Sequence, residues 1–403
     1  MKIVFLLSRF PYPLEKGDKL RANQHLINLS AEGHEVHLIA LSDSNISIDE
    51  IDKVRPYCKS IKIFRLNYSN LLLNLLGSVS RKIPLQVGYF YSPDIHKSIE
   101  KLIVEINPDL VYCQLIRMAS YIKNIKNKPL LIDYQDAFSR GTFQRMQNAS
   151  LLFRYLFKRE YNLVTDFERQ SYNWFHGHII ISEQDRLALS IDKDKEMFVL
   201  PNGIDTNFFK PMPNEKNFDI TFVGNMNYPP NIDAACFLVN EIMPLVWKRI
   251  PTAKVQLGGA NPDKRVKKLA SNRVTITGWM DDIRDCYKNT RVFIAPMRIG
   301  TGLQNKLLEA MAMKIPCITT PISFEPLNAT MDVDILVGTD RDQLANHIST
   351  LLKDQELSDQ IALDGYNFVL EKYSMQHSRK LLKDILESTV KDYRSRNHLG
   401  DLK

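Results

Sequence analysis

Cysteine is sparse in this chain. Five occur among 403 residues, at 58, 113, 236, 286 and 317, an odd and scattered set. No disulfide framework suits that pattern, and a reducing cytoplasm is the expected compartment. Cys317, inside the apolar run "IPCITT", reads as a small core residue. Zinc-finger spacings and RNA-binding aromatic patterns are absent, so nucleic acid is not an expected partner. Excess charge of one sign is also lacking. The formal net charge of +7 suits phosphates or acidic lipid but is too weak for a nucleic-acid surface. Long apolar runs are missing. The run at residues 3–7 is shorter than a signal-peptide core, and the leucine-rich segment 71–77 falls far below the ~18 residues of a membrane span. No Gly-x-Gly-x-x-Gly follows the first apolar run, which disfavours a dinucleotide-dependent dehydrogenase.

What is present is a strand–helix rhythm. "KIVFLLS" is a buried parallel strand by pattern, "RANQHLINLSAEG" a helix closed by Gly33, and "HEVHLIAL" a second strand. That βαβ unit predicts a doubly wound sheet. "DLVYCQL", "PLLIDYQ", "GHIIIS" and "MFVLPNGID" continue it. The polar, proline-bearing segment 210–219 reads as a domain boundary. The rhythm restarts in "ITFVG", "AKVQLGG", "RVTITG", "RVFIAP" and "PCITTP", and the chain closes with a helix in "SRKLLKDILESTVKDY". The expected division is 1–213, 214–370, and a C-terminal helix with a basic tail at 371–403.

In such sheets ligands bind beyond the carboxyl ends of the strands, so the loops after strands hold the candidates. After "RVFIAPM" comes "GTGLQNKLLEA". Gly300 and Gly302, around Thr301, permit a tight turn close to a ligand. Free N–H groups from about Leu303 through Gln304 to Asn305, with the helix dipole, make an anion site. Lys306 adds a full positive charge, and Glu309 lies one turn along the same face. A carboxylate accepts well from two vicinal hydroxyls. The set therefore suits a nucleotide, with diphosphate on the turn and Lys306 and ribose on Glu309. The competing reading is a capped core helix bearing a Lys–Glu pair. Two more strands end in glycine, Gly224 followed by Asn225 and Gly278 followed by Trp279 and Met280. Those backbones can approach the same crevice, and the latter side chains can flank a base.

Taken together, "FVGNMNYPPNIDA", "TGWMDDIRDCYKNTRVFIAPMRIGTGLQNKLLEAMAMKIPCITT", "VLPNGIDTNFF" and "FPYPLEKGDKLRANQHLINLSAEGHEVHLI" resemble the family 4 glycosyltransferases of the GT-B fold. They are most similar to the subgroup associated with bacterial exopolysaccharide assembly. The resemblance implies an α/β architecture of two Rossmann-like domains facing across a cleft, with a C-terminal helix crossing back to the first. It implies a nucleotide-diphosphate sugar in the C-terminal domain and a glycan or lipid-linked acceptor in the N-terminal one. It further implies a retaining reaction without a metal or other cofactor. Leaving-group charge then falls to helix N-termini and Lys or Arg side chains. Lys306 fits that demand, and Arg298 is the second candidate cation.

The resemblance also places Gly17 in a loop near donor phosphates and acceptor, with Asp18, Lys19 and Arg21 on the acceptor side. Gln114 stands where many relatives carry a histidine, and Gln135 with Asp136 at a His-Asp position, so a histidine base there is excluded. Two departures matter. Thr301 replaces the first of two family glutamates, of which Glu309 is the second, and residues 225–230 lack the usual cations. Alternatives within this resemblance are a non-catalytic nucleotide-sugar scaffold and a sugar-nucleotide epimerase. The triplet "DVD" at 332–334 is not expected to bind metal. "SLLFRYLFKREYNLV" at 150–164 interleaves apolar and basic residues, as an interfacial helix on anionic lipid would. The expected location is cytoplasmic, with peripheral attachment to the inner face of the plasma membrane.

Overall fold

Along β1 (Lys2–Leu7), Ile3, Phe5 and Leu7 enter one apolar cluster and Val4 and Leu6 another. The period of two thus buries both faces, as a parallel sheet covered by helices requires. The same holds in β4 (Leu110–Gln114), where Leu110 and Tyr112 oppose Val111 and Cys113. With β2 (Glu35–Ser42), β3 (Ser60–Arg65), β5 (Leu130–Asp133), β6 (Gly177–Ile180) and β7 (Phe198–Val199) they form a parallel sheet in the order β3-β2-β1-β4-β5-β6-β7. β3, "SIKIFR", was not legible as a strand, because it is an edge strand with no fully buried residue.

The second sheet has the order β10-β9-β8-β11-β12-β13 and is also parallel. Its strands are β8 (Phe218–Val223), β9 (Val255–Gly258), β10 (Val274–Gly278), β11 (Thr290–Ala295), β12 (Cys317–Thr319) and β13 (Leu336–Val337). β13 is two residues long and follows the "DVD" triplet. Among the described residues no group of histidine, cysteine and acid side chains could hold a metal ion. In each sheet the chain reverses its direction of winding between two central strands, β1/β4 in the first and β8/β11 in the second.

The structure, a computed structural model, describes residues 1–66, 75, 77, 78, 80, 82–147, 149–189, 191, 196–213, 215–299 and 302–400, without the side chains of 152 and 397–400. Most of the leucine-rich segment 71–77 and the pair Gly300 and Thr301 therefore lie outside the described residues. The chain divides into two units, residues 1–202 with 378–403, and residues 203–377. The first boundary falls before the segment 210–219, and the difference has a local cause. Ile204 bridges Ser374 and is buried in the second core, against which Phe209 and Met212 also pack. The polar, proline-bearing stretch thus falls inside the second unit, and its end enters β8. The terminal helix runs Met375–Gly400. Its residues Leu382, Ile385, Leu386 and Val390 bury one stripe in the first unit's core, the i, i+3, i+4, i+8 pattern of an amphipathic helix.

Candidate functional site

In the second unit, the helix Asn305–Ala312 begins beyond the carboxyl end of β11, at the sheet's switch point. It starts two residues later than the sequence suggested. Gln304 is its N-cap residue, with no capping side chain. Leu307 N–H already bonds the Gln304 carbonyl at 2.9 Å, so the N–H groups on offer are those of Asn305 and Lys306. Gly302 makes the preceding turn at φ +82°. Leu303 packs partly on the core, and the Gln304 amide reaches the Gly302 carbonyl at 3.5 Å.

Lys306 and Glu309 each take a partner outside the helix. Lys306 Nζ donates to Asn231 Oδ1 at 2.7 Å and lies 4.7 Å from the Phe222 ring centroid. Burial lowers this amine to about 8, against the opposing pull of Glu309. Asn231 in turn donates to the Asn225 carbonyl at 3.0 Å. Glu309 accepts from Tyr287 Oη at 2.6 Å. Burial raises its carboxyl, and the bond from Tyr287 and the charge of Lys306 oppose that shift. Its one direct partner is thus a neutral amide, and the charge of Glu309 offsets only part of the hydration that burial removes.

The strand-end glycines serve close backbone approach. A Cβ on Gly224 would sit 2.7 Å from the Asn231 amide. A Cβ on Gly259, at φ +134°, would sit 1.8 Å from the Gly224 carbonyl oxygen. Gly224 N–H bonds the Gly258 carbonyl, and Gly259 N–H bonds that of Gly278. These glycine-rich strand ends are stitched side by side, and Lys306 reaches them through Asn231. Trp279 is 75% exposed, with its indole N–H 3.4 Å from Asp281. Met280 packs on the core and touches Cys286.

Arg298 requires a correction. Its guanidinium is forked onto Asp233, at 2.6 and 3.0 Å, reaches Glu241 at 3.3 Å and covers the Phe237 ring. Two carboxylates already neutralise it on the surface, so it does not serve as a second free cation beside Lys306. Sequence reasoning missed Asn231, Tyr287 and Phe222. Asn231 stands just beyond the segment 225–230 scanned for cations, and a neutral amide carries no charge signal.

The first unit has a second cluster at its own switch point. Helix Gly17–Ala31 starts there. A Cβ on Gly17 would lie 3.8 Å from the Gln135 amide, so ordinary contact separates this turn from the end of β5. Asp18 pairs with Arg9 at 2.6 Å and with Arg117 at 3.7 Å, and its carbonyl accepts from Gln114 at 3.1 Å. Lys19 is turned to the Tyr12 carbonyl. Arg21 is the second correction. It is fully buried, forked onto Asp133 at 2.7 and 3.1 Å and bonded to Asn202 at 2.8 Å. It ties the first helix to β5 and offers no group to an acceptor. Beside it His25 is lowered to about 3 by burial and by Arg21, which keeps it neutral.

Two non-glycine residues at these strand ends have left-handed backbone, Leu115 at φ +68°, ψ 145° and Gln135 at φ +62°. The first is a region nearly reserved for glycine, and such strain concentrates at sites that a rigid surrounding holds in shape. Leu115 follows Gln114, whose amide is 3.5 Å from Gln135 Oε1, and Gln135 reaches Asp136 at 3.3 Å. Asp136 remains solvent-accessible, yet the surrounding protein mass costs its carboxylate hydration and Asp185 adds like charge. These push it up to about 6 against the pull of Arg21. The sequence reading missed Arg9 and Arg117. Each lies a few residues beyond the end of a strand, the one signal that could have found them.

Three comparisons bear on this arrangement. Residues 217–354 match the family model described as glycosyl transferases group 1. Over 96% of its length the chain is 23% identical to an uncharacterized 44.6 kDa protein in the cps region of Klebsiella pneumoniae, covering 99% of it. Among solved structures it is similar to Anabaena HepE in complex with UDP, at TM-score 0.67 and 15% identity, covering 96% of this chain and all of that one. It is also similar to sucrose-phosphate synthase of Thermosynechococcus elongatus, at TM-score 0.64 and 15% identity, covering 96% and 98%. The two parallel sheets with their helices are those of the GT-B fold.

Proposed function

From the premise that this chain is a glycosyltransferase of the GT-B fold, with a glycosyl transferases group 1 domain at residues 217–354, we propose that it moves a sugar from a nucleoside-diphosphate donor to a glycan or lipid-linked acceptor, with retention at the anomeric carbon. The observation that carries the reading is the uncapped start of the helix Asn305–Ala312 beside Lys306, a cation whose ordinary hydration is lost and which a diphosphate would replace. As the bond from the anomeric carbon to the diphosphate breaks, negative charge grows on the leaving oxygen. Lys306 and the N–H groups of Asn305 and Lys306 offset it without a metal ion. The acceptor oxygen bonds the same face, and its proton passes to the departing phosphate. Glu309 accepts from the ribose through the lone pairs that Tyr287 leaves unused. Asp136, near neutrality at about 6, is in the range where a carboxyl can exchange a proton. HepE has been solved with UDP and with UDP-glucose, which makes UDP-sugars the first donors to try.

The proposal extends to the membrane. On the helix Leu151–Tyr172, the apolar Leu151, Phe153, Tyr155 and Leu156 and the cations Arg154 and Lys158 are all exposed. That mixture matches an anionic bilayer surface. No helix among the described residues is long and apolar enough to cross a membrane. The test of the enzyme reading is turnover. The chain is incubated with a panel of nucleotide sugars and extracted lipid-linked oligosaccharides, with and without chelator, and nucleoside diphosphate release is followed. Release with glycosylated product and undiminished rate in chelator is expected. Binding without release would make the chain a scaffold, and a chelator-sensitive rate would remove the metal-independent part.

A further inference from the structure

Three arginines crowd the carboxyl end of the first sheet. Arg9 follows β1, Arg117 follows β4, and Arg145 lies on the helix Phe138–Gln147 that follows β5. The guanidiniums of Arg9 and Arg117 both lie over the Phe90 ring, 5.4 and 5.1 Å from its centroid, and Arg117 is also 5.0 Å from that of Phe138. Aromatic faces attract cations but are a weak substitute for an anion. Arg117 spends one nitrogen on Gln86 at 3.1 Å. Its Nε and Nη1, and Arg9 Nε, are buried without a hydrogen-bond acceptor. Asp18 is shared between the two arginines and stands 3.7 Å from Arg117. Burial and the charges of Arg9 and Arg145 outweigh Asp18 and Asp136, so the guanidinium of Arg117 is pushed down to about 10. The cluster therefore lacks negative charge although two acids face it, and its unspent donors belong to the side chain best shaped to fork onto an anion.

We propose that Arg9 and Arg117 form an anion site, separate from the donor site of the second unit, that holds the phosphate or diphosphate ester of the acceptor. The inference rests on the glycosyltransferase reading and specifies its acceptor as a phosphorylated one. A diphosphate brings the charge and the several acceptor oxygens that the unpaired nitrogens need.

The test uses the full chain carrying Lys306→Met, which silences the phosphate site of the second unit. Isothermal titration with pyrophosphate should show saturable binding. Adding Arg117→Gln should weaken it by about tenfold to a hundredfold, the loss of charge-assisted bonds to a phosphate, and Arg117→Lys should weaken it less. Arg145→Gln, at an exposed position, should weaken it in the same direction and guards against a misfolded Arg117 variant. Geranyl diphosphate should bind at least as well as pyrophosphate. Binding of free pyrophosphate without the ester, or tighter binding of glucuronate than of either, would overturn the proposed acceptor class. No pyrophosphate binding to the Lys306→Met protein, or binding indifferent to all three arginine variants, would overturn the site itself. Neither result touches the enzyme reading, which UDP binding to the unaltered chain tests independently.

Discussion

If Lys306 waits for a phosphate, donor affinity must depend on its proton. In the empty site the amine is lowered from 10.5 to about 8, a charging cost of about 3 kcal/mol. A bound diphosphate supplies the missing counter-charge and returns the amine to its ordinary range or above. The UDP phosphates are fully ionised above their second pKa of about 6, so from pH 7 to 9 the lysine alone changes state. At pH 9 only about a tenth of empty sites still hold the proton, so the dissociation constant for UDP should rise about tenfold between pH 7 and 9. Calorimetry in buffers of different ionisation enthalpy should show proton uptake on binding near pH 8.5. Lys306→Met should lose up to about 3 kcal/mol of UDP affinity, roughly a hundredfold, and its dissociation constant should no longer follow pH. The empty variant should stay within about 2 kcal/mol of the parent, because removing a poorly solvated charge is offset by leaving Asn231 Oδ1 without its donor. A flat pH profile in the unaltered chain, or unchanged UDP affinity in Lys306→Met, would refute the assignment and leave this stretch an ordinary core helix.

Glu309→Ala should weaken donor binding by about 1.5–3 kcal/mol with little change in kcat, as read from donor KM and kcat. It also strands the buried Tyr287 hydroxyl, so it should lower stability in urea by about 1–3 kcal/mol, a loss that should be absent when Tyr287→Phe is added. Glu168 is buried, capping Ser139 N–H, and desolvation raises its carboxyl to about 7. The folded state thus binds the proton more tightly than the unfolded one. Stability should fall by roughly 3 kcal/mol as pH rises from 4.5 to 7, and urea titrations of Glu168→Gln should lack that slope. On sedimentation with vesicles the chain should pellet with anionic lipid and be released by salt. Replacing Phe153 and Leu156 by serine should weaken that association, and equal pelleting with neutral vesicles would contradict its electrostatic part.

The strand order was legible where both faces of a strand are buried. "IVFLL" and "LVYC" are apolar throughout because alternate residues join different apolar clusters on the two faces of the sheet. β3 and β13 escaped notice for the opposite reason. The first lies at an edge and is nowhere fully buried, and the second is two residues long. The boundary at 202 and 203 was hidden because sequence punctuation records where the backbone may bend. It does not record which core the flanking residues join. The returning helix showed its stripe, since Leu382, Ile385 and Leu386 repeat at helical spacing.

The site was legible in its backbone and less so in its charges. Glycines at strand ends and an uncapped helix start follow from local geometry, and local geometry is written locally. Whether an arginine is spent or available depends on residues far along the chain. Arg298 looked like a free cation beside a phosphate turn until Asp233 and Glu241, 65 and 57 positions away, were seen to hold it. Arg21 looked like an acceptor contact until Asp133, 112 positions away, was seen to bury it. Arg117 sits in an unremarkable "LIRMA", yet it keeps buried donors unspent. Positive charge near a strand end is therefore a weak sign of function by itself. The sign gains weight where the fold withholds the counter-charge: from Lys306, partnered by a neutral amide, and from Arg117, partnered by aromatic rings and a shared acid. In both places the protein retains a solvation deficit that its own side chains do not fill.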